Sequence, residues 1–168
     1  MKTIEIIGKN YFGHWTHERT ACRGVVIEDG RILLSYAVRD DLWMIPGGGL
    51  EAGEDEGSCC VRELAEETGR VVLPSACALE LNEYYEDCRY VSRYFFGAVV
   101  GRCEPKLTQG EQRMGLEPRW LPAGEALRIF SRHADYGDID EERRGIYQRE
   151  YTALSELLQG STNIINKP

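Results

Sequence analysis

A glycine loop that leads directly into an acidic amphipathic helix constrains this chain more than any other stretch. Loop and helix together read PGGGLEAGEDEGSCCVRELAEETGRVV, from Pro46 to Val72. Residues spaced at i, i+3, i+4 and i+7 share one helix face, and here they form a core-facing stripe of Val61, Leu64, Ala65 and Thr68. Asp55 is a suitable N-cap and Gly69 a suitable C-terminal stop, so the sequence predicts a helix with both ends defined.

The carboxylates of this helix lie together on its other side. Glu63, Glu66 and Glu67 fall within an arc of roughly 100° opposite the apolar stripe. A solvated acidic face is one interpretation, but like charges at these spacings destabilise a helix and its C-terminal half disfavours anions. Arg62 neutralises only part of the charge, through its i+4 partner Glu66. A divalent cation would stabilise the arrangement, and an all-oxygen ligand set suits Mg²⁺ or Mn²⁺ rather than Zn²⁺.

Three consecutive glycines precede the helix, directly after Pro46. They permit positive φ angles and the close approach of a ligand or of another backbone segment. The loop lacks both the Gly-Lys-Ser/Thr ending of a P-loop and the G-x-G-x-x-G spacing of a dinucleotide fold. A tight connection between a strand and the helix is the alternative interpretation of the glycines, and the two are compatible.

The fixed residues of this stretch resemble the signature of the Nudix hydrolases, G-x5-E-x7-R-E-U-x-E-E-x-G-U, in which U is a bulky aliphatic residue. Gly48 begins the match, Glu54 follows, and the sequence RELAEETG completes it from Arg62 to Gly69. The one departure is Arg70, which occupies the last aliphatic position. This departure concerns how the exit of the helix packs, and it leaves the acidic residues unchanged.

The resemblance implies an α/β fold of the Nudix type, an α/β/α sandwich with a central mixed β-sheet. Composition alone allows only the broader choice between α/β and α+β. The resemblance also implies a single Nudix domain over residues 1–159, with the signature at 48–70 and a flexible C-terminal tail at 160–168. A chain of 168 residues fits the usual size of one domain and is long enough to bury a core.

The resemblance further implies a Mg²⁺-dependent hydrolase (or Mn²⁺-dependent) that cleaves the diphosphate bond of a nucleoside diphosphate linked to another moiety. The metal ligands would be Glu63, Glu66 and Glu67, together with the backbone carbonyl of Gly47. The bound metal would lower the pKa of a water that attacks phosphorus. A glutamate would remove the proton, either one of the signature (Glu63 or Glu67) or Glu111 of a later loop.

Other residues are expected to support the reaction. Arg62 and Glu54 would orient the site through a charge-assisted bond across the junction of loop and helix. Glu117 is the second choice for a base from the later loop. The expected substrate-binding residues are Gly48, Gly49, Arg39 and Tyr84. Tyr84 lies close to where dinucleoside-polyphosphate hydrolases carry a tyrosine. Further candidates for phosphate contacts are Arg23, Arg89, Arg93 and Arg113.

The sequence leaves several substrates open, and it also allows two functions other than hydrolysis. Nucleoside triphosphates, nucleotide sugars, ADP-ribose and dinucleoside polyphosphates all stay open, because the chain lacks the additional motifs of the individual subfamilies. A Nudix domain that senses a nucleotide without cleaving it is the alternative function, although such domains usually lose part of the acidic set. A structural protein whose acidic helix is only a surface is the third hypothesis.

The net charge and the cysteines limit the expected binding partners and the expected cellular location. A net charge of −8 argues against stable binding to nucleic acid or to an anionic membrane, both of which need a basic surface. The six cysteines show neither a C-x-x-C pair nor zinc-ligand spacing, and no signal peptide is evident, so free thiols in the cytoplasm are expected. His14 and His17 are interpreted as surface or packed residues. By analogy with the family, the aromatic segment 10–17 could serve a homodimer interface.

Hydrophobic alternation and turn signals predict the remaining elements. Asp29-Gly30 predicts a hairpin between strands at 19–28 and 31–37. Further strands are predicted at 3–8, at an edge, and at 42–45, 76–85, 90–100 and 119–122. A long polar loop is predicted at 101–118, and helices are predicted at 123–131 and 141–158. The last helix should bury a stripe of Tyr147, Tyr151, Leu154 and Leu158.

Overall fold

The computed structural model describes the backbone of residues 1–165 and the side chains of residues 1–159. The strands are β1 (Lys2–Ile7), β2 (His17–Val25), β3 (Ile27–Glu28), β4 (Arg31–Ala37), β5 (Leu42–Met44), β6 (Gly47–Gly49), β7 (Arg70–Tyr85), β8 (Cys88–Arg102) and β9 (Leu116–Pro122). The helices are α1 (Glu56–Thr68), α2 (Gln109–Met114), α3 (Ala123–Ser131) and α4 (Glu141–Ile165), with a 3₁₀ turn at Arg132–Tyr136.

The strands form two sheets. The first has the order β1-β7-β8-β2-β6, and in the second β4 pairs with β3, β5 and β9. Within the first sheet β7 and β8 are antiparallel, whereas β1 runs parallel to β7 and β2 parallel to β8. This sheet is therefore mixed, with β1 at the predicted edge. Its other edge is β6, the glycine run, which pairs with β2.

Helices cover both faces of the first sheet. On one face α1 packs over a cluster that includes Cys22, Leu33, Leu64 and Phe95. On the other face α3 and α4 pack over a second cluster that includes Leu79, Leu81, Tyr94, Phe130 and Leu154. Tyr94 and Phe95 are neighbours on β8 and enter different clusters because successive strand residues point to opposite faces. The α/β/α sandwich with a mixed sheet is confirmed.

The Asp29-Gly30 hairpin is confirmed. Both residues have positive φ, 49° and 72°, as a two-residue type I′ turn requires, and Glu28 pairs with Arg31. The predicted strand at 19–28 is nevertheless two strands, because the chain changes sheets at the fully buried Val26. Residues up to Val25 pair with β8, and those after Val26 pair with β4.

Helix α1 has the predicted ends. The Asp55 carboxylate accepts a hydrogen bond from Ser58 N at 3.0 Å, and Gly69 closes the helix at a φ of 65°. The buried stripe differs from the prediction, because Val61 and Ala65 are only half-buried. The fully buried apolar positions of the helix are Cys59, Cys60 and Leu64. Small cysteines let the first turns of the helix approach the sheet closely.

Helix α4 extends to Ile165, seven residues beyond the predicted end. Tyr147 and Leu154 are buried as predicted, but Tyr151 is 37% exposed. Ala153 and Leu157 are buried instead, so the core-facing stripe is rotated from the predicted one. The predicted flexible tail at 160–168 lies outside the described residues, apart from the helical backbone up to Ile165.

The predicted loop at 101–118 contains helix α2 and the start of β9. Thr108 and Glu111 form a capping box at the start of α2, and Gly115 ends it in the left-handed region at a φ of 68°. Strand β7 also begins earlier than predicted, at Arg70. Its register is irregular between Pro74 and Leu79, where the proline interrupts the hydrogen-bond ladder.

Two global features complete the fold. All six cysteines are unpaired thiols, as expected, although three of them are buried. No helix within the described residues combines the length and the hydropathy needed to cross a lipid bilayer.

Candidate active site

The glycine strand β6 lies directly against α1, and only glycine fits there. A Cβ on Gly48 would come within 2.5 Å of the Glu63 carboxylate. A Cβ on Gly47, whose φ is 148°, would come within 2.2 Å of the carbonyl oxygen of Cys22. The three glycines thus let a strand pair with β2 while its backbone borders the carboxylates of the helix.

Arg62 joins the loop to the helix. Its guanidinium binds Glu54 in a bidentate manner, with both N···O distances at 2.9 Å, and it also donates to the carbonyl oxygen of Gly49 at 3.0 Å. The same side chain reaches Glu63 at 2.7 Å and Glu66 at 3.3 Å. This arrangement places Arg62 and Glu54 where the sequence analysis expects an orienting pair. The Arg62 guanidinium also lowers the pKa of the Glu54 carboxyl.

Two of the three signature glutamates are buried. Glu63 is 9% exposed and Glu67 is 8% exposed, whereas the Glu66 side chain is 37% exposed. The interpretation of this helix face as solvated is therefore wrong for Glu63 and Glu67. The two residues pack against the sheet edge rather than facing water, because β6 and β4 lie across from them.

Burial dominates the electrostatics of these carboxyls. It raises the pKa of Glu67 to about 7, against the opposing effects of a hydrogen bond from Ser35 and of the nearby Arg23. The Ser35 hydroxyl donates to Glu67 at 2.7 Å, and the backbone N–H of Gly47 donates to the same oxygen at 3.3 Å. Burial likewise raises the pKa of Glu63, although Arg62 opposes it. A bound cation would favour the ionised form of both groups.

Glu111, the candidate base from the later segment, acts electrostatically on the α1 acids. Its charge raises the pKa values of both Glu63 and Glu67, after the larger effect of burial. One of its oxygens accepts a hydrogen bond from Thr108 N at 2.7 Å as part of the capping box of α2. Glu117 instead pairs with Arg119 at 2.5 Å on β9. Glu111 therefore influences the α1 carboxylates electrostatically, whereas Glu117 is engaged in an ion pair.

A cavity of about 580 Å³ adjoins the glycine strand. Gly47 and Gly48 line one side of it, and the start of α4 lines the other. Four arginines and four glutamates contribute to its walls: Arg19, Arg23, Arg144, Arg149, Glu83, Glu86, Glu141 and Glu142. Tyr85 and Tyr90 add aromatic surface. A cavity of this size can hold most of a nucleotide.

The predicted substrate contacts are only partly brought together. Gly48 and Arg23 line the cavity, but Arg39 and Tyr84 do not. Arg39 follows β4, and its backbone N–H donates to the carbonyl of Met114 at 3.1 Å. Tyr84 points to the opposite face of the sheet, where its hydroxyl donates to Glu5 at 3.3 Å. Strand alternation places its neighbour Tyr85 at the cavity instead.

The other arginine candidates face away from the cavity. Arg89 pairs with Glu18 at 2.8 Å, and Arg93 pairs with Glu56 and Glu80. Arg113 is exposed near the end of α2.

Arg19 and Ser35 belong to this site but are not among the residues that the sequence predicts. Arg19 is exposed at the cavity wall, and its guanidinium lies 3.4 Å from where a Cβ on Gly49 would be. The spacing of Arg19 and Arg23 along β2 is the available signal, because residues separated by two or four positions on a strand share one face. Ser35, which orients Glu67, left no sequence signal, since a serine within an apolar strand has many roles.

The model of the NUDIX domain matches residues 18–141 of this chain. The chain belongs to the Nudix family. An RNA pyrophosphohydrolase from Dinoroseobacter shibae is 44% identical over 153 residues, which cover 82% of this Nudix chain and 92% of that protein. The human diphosphoinositol polyphosphate phosphohydrolase 2 is 45% identical over 107 residues, 63% of this chain but only 57% of that protein.

Solved structures agree on the fold. A NUDIX hydrolase from Nitrosomonas europaea superposes with a TM-score of 0.56 at 22% identity, covering 80% of this chain and 88% of that one. Family membership makes this protein a hydrolase of pyrophosphate bonds, in a family that generally uses divalent metal ions.

Proposed function

We propose that this Nudix protein hydrolyses the diphosphate bond of a nucleoside diphosphate linked to another moiety, with Mg²⁺ (or Mn²⁺) held by α1. The observation that carries the proposal is the burial of Glu63 and Glu67, at 9% and 8% exposure, beside a glycine strand and next to a cavity. Such carboxylates are costly to bury as anions unless a cation neutralises them.

The donor set fits a hard divalent cation. Glu63, Glu66 and Glu67 offer carboxylate oxygens, and Gly47, whose N–H donates to Glu67, would add its backbone carbonyl, so every candidate ligand atom is oxygen. A metal held there would supply Lewis-acid chemistry, because it would offset negative charge on the diphosphate and lower the pKa of the attacking water. Arg62 would hold Glu63 and Glu66 in place while Glu54 fixes the guanidinium from the loop.

The catalytic base belongs to the same group of acids. Glu63 and Glu67 border the glycine strand, and the charge of Glu111 on α2 acts on both. A base must reach the attacking water within hydrogen-bonding distance. We favour a signature glutamate or Glu111 over Glu117, because Glu63 and Glu67 lie beside the glycine strand and the charge of Glu111 acts on both of them.

The cavity would receive the nucleotide part of the substrate. Gly48 would contact the diphosphate through its backbone at the cavity wall, with Gly49 next to it on β6 just outside the lining, and Arg19 and Arg23 would contact the phosphates from β2. The numbers of arginines and glutamates in the walls are equal, which favours an uncharged nucleoside over a moiety that carries many phosphates. This charge balance favours a nucleotide-type small molecule over a diphosphoinositol polyphosphate, the substrate class named for the human relative.

The domain extent, the remaining substrate contacts, the location and the oligomeric state are proposed on the same basis. A single domain over 1–159 is supported by the two clusters that share one sheet. Contacts of Arg39 and Tyr84 with the substrate would require it to extend beyond the cavity, since neither residue lines it. A cytoplasmic location and a homodimer stay predictions based on the free thiols and on the family analogy, as does the lack of stable nucleic-acid binding, which rests on the net charge of −8.

The test is a release assay over nucleoside triphosphates, nucleotide sugars, ADP-ribose, dinucleoside polyphosphates and triphosphorylated RNA, with Mg²⁺ and with Mn²⁺. Wild type is compared with Glu67→Gln and with the matched control Glu28→Gln, which changes an exposed glutamate of the hairpin. We expect cleavage by wild type and the control, and loss of cleavage in Glu67→Gln. If wild type binds nucleotides in a thermal-shift assay but cleaves none of them, the sensing alternative replaces this proposal.

A further inference from the structure

Three side chains of metal-binding type meet at the surface where β2 begins and the β7–β8 hairpin turns. They are His17, Asp87 and Cys88, whose ligand atoms all lie within 4.8 Å of one another. The pairing of β2 with β8 places His17 directly beside Cys88, although the two are far apart in the sequence. None of these residues belongs to α1 or lines the cavity.

The interatomic distances are close to those of a zinc site. In a tetrahedral site with Zn–N and Zn–O near 2.1 Å and Zn–S near 2.3 Å, neighbouring ligand atoms lie about 3.4–3.6 Å apart. Cys88 Sγ is 3.6 Å from one oxygen of Asp87, and His17 Nδ1 is 2.9 Å from the other. Because these two distances involve different carboxylate oxygens, the Asp87 carboxylate must rotate and the His17 imidazole must move outward before the three ligand atoms face one ion. The His17 side chain is 74% exposed and is free to do so.

The backbone around the three residues is held firmly. The carbonyl of Asp87 accepts hydrogen bonds from the N–H groups of Thr16 and His17, at 2.8 and 3.2 Å. The N–H of Phe12 donates to the carbonyl of Glu86 at 2.9 Å. The Asp87 carboxylate also accepts from the Thr16 hydroxyl at 2.7 Å, which favours its ionised form and thus its readiness as a ligand.

We propose that His17, Asp87 and Cys88 form a binding site for Zn²⁺ or a similar borderline divalent ion, separate from the all-oxygen site on α1. A nitrogen, a sulfur and an oxygen ligand together select zinc over magnesium, because thiolate and imidazole suit the softer ion. Three protein ligands leave a fourth position for water. Binding replaces the thiol proton and the hydrogen bond of the imidazole, so protons are released to solvent.

An ion at this position would tie the N-terminal aromatic segment to the cavity rim. Glu86, which precedes the ligand Asp87, and Tyr90, two residues after Cys88, both line the cavity. The segment before His17 already reaches the hairpin through the hydrogen bond of Phe12. A metal bond to His17 would make this connection rigid and would fix the rim next to the nucleotide cavity.

The test uses Co²⁺ as a spectroscopic probe and Zn²⁺ as the competitor, with the full chain stripped of metal beforehand. A thiolate ligand gives an intense charge-transfer band that carboxylates do not give, so the α1 acids cannot produce it. The variants are Cys88→Ser and His17→Ala. Their matched controls are Cys103→Ser, an exposed thiol elsewhere, and His14→Ala, a nearby exposed histidine.

We expect the wild type and both controls to show the band and to lose it when one equivalent of Zn²⁺ is added. Cys88→Ser should abolish the band, and each ligand variant should weaken Zn²⁺ binding by at least about tenfold. Absence of the band in wild type, or its persistence in Cys88→Ser, would overturn the proposal. Equal Zn²⁺ affinity in His17→Ala and wild type would do the same. No hydrolase assay enters this test, so the proposed function stands or fails separately.

Discussion

Two groups of buried carboxylates, one between α4 and β7 and one on α1, differ in how the chain neutralises their charge. Under α4, Glu150 is fully buried and Glu83 is 4% exposed. Arg149 lies 2.7 Å from Glu150 and 3.8 Å from Glu83, and Arg23 lies 3.7 Å from Glu150. Two carboxylates therefore share two arginines. This group is balanced by the chain itself and needs no further ion.

The α1 group has an excess of negative charge. Glu54, Glu63 and Glu66 all share the single guanidinium of Arg62. Glu67 forms no ion pair among the described residues, and its pKa is raised to about 7. Burial is common to both groups, so burial alone does not indicate a catalytic role. The missing counter-charge distinguishes the α1 group, and it is what a divalent cation would supply.

The largest expected effect is on catalysis. Glu63→Gln removes one charge from the α1 group without changing its shape, and kcat/KM should fall by about 10²–10⁴-fold under saturating Mg²⁺. Steady-state kinetics on the best substrate of the panel measure it, with Glu28→Gln as the control for the chemical change. Near-normal turnover in Glu63→Gln would mean that the excess charge of the α1 group has another purpose.

The second prediction concerns the balanced group. Arg149→Met leaves Glu83 and Glu150 with less counter-charge in a buried place, and the free energy of unfolding should fall by about 3–5 kcal/mol. Urea denaturation at neutral pH measures the change, and Arg128→Met, an exposed arginine of α3, is the matched control. Mg²⁺ should not restore the lost stability. If Mg²⁺ restored the stability, the metal would bind at Glu83 and Glu150, and this group would not be balanced by the chain itself.

The third prediction tests whether the α1 group binds metal without substrate. Mg²⁺ at 100 times its dissociation constant should raise the free energy of unfolding by about 2.7 kcal/mol. Thermal denaturation with and without Mg²⁺ shows this as a higher Tm in wild type. Glu67→Gln should lose most of the increase, whereas Glu28→Gln should keep it. An equal increase in all three proteins would indicate binding elsewhere.

The smallest expected effect concerns Arg19, for which only a substrate contact is proposed. Arg19→Ala should lower kcat/KM by about tenfold, because a hydrogen bond from a charged donor to a phosphate is lost. The Tm should not change, since the side chain is exposed and forms no ion pair among the described residues. Arg128→Ala is the control. A loss of stability together with activity would instead assign Arg19 a structural role.

Much of the fold could be predicted because its signals are local. The Asp29-Gly30 turn, the Asp55 cap and the Gly69 stop each depend on a few neighbouring residues. Helix α2 was missed although its Thr108–Glu111 capping box is also local, because a six-residue helix buries no residue and leaves no apolar periodicity. The split at Val26 was missed for a different reason, since both halves are apolar and only the sheets they join differ.

The sequence by itself determined the signature helix, its ends and the set of acids it carries, because helix geometry fixes which residues three and four positions apart share a face. Only the tertiary structure decided that Glu63 and Glu67 are buried, that Tyr85 rather than Tyr84 reaches the cavity, and that His17 meets Cys88. Those outcomes depend on which strands pair and in which register. Strand register brings together residues that are far apart in the chain, and the local sequence around a residue does not specify which distant residue it pairs with.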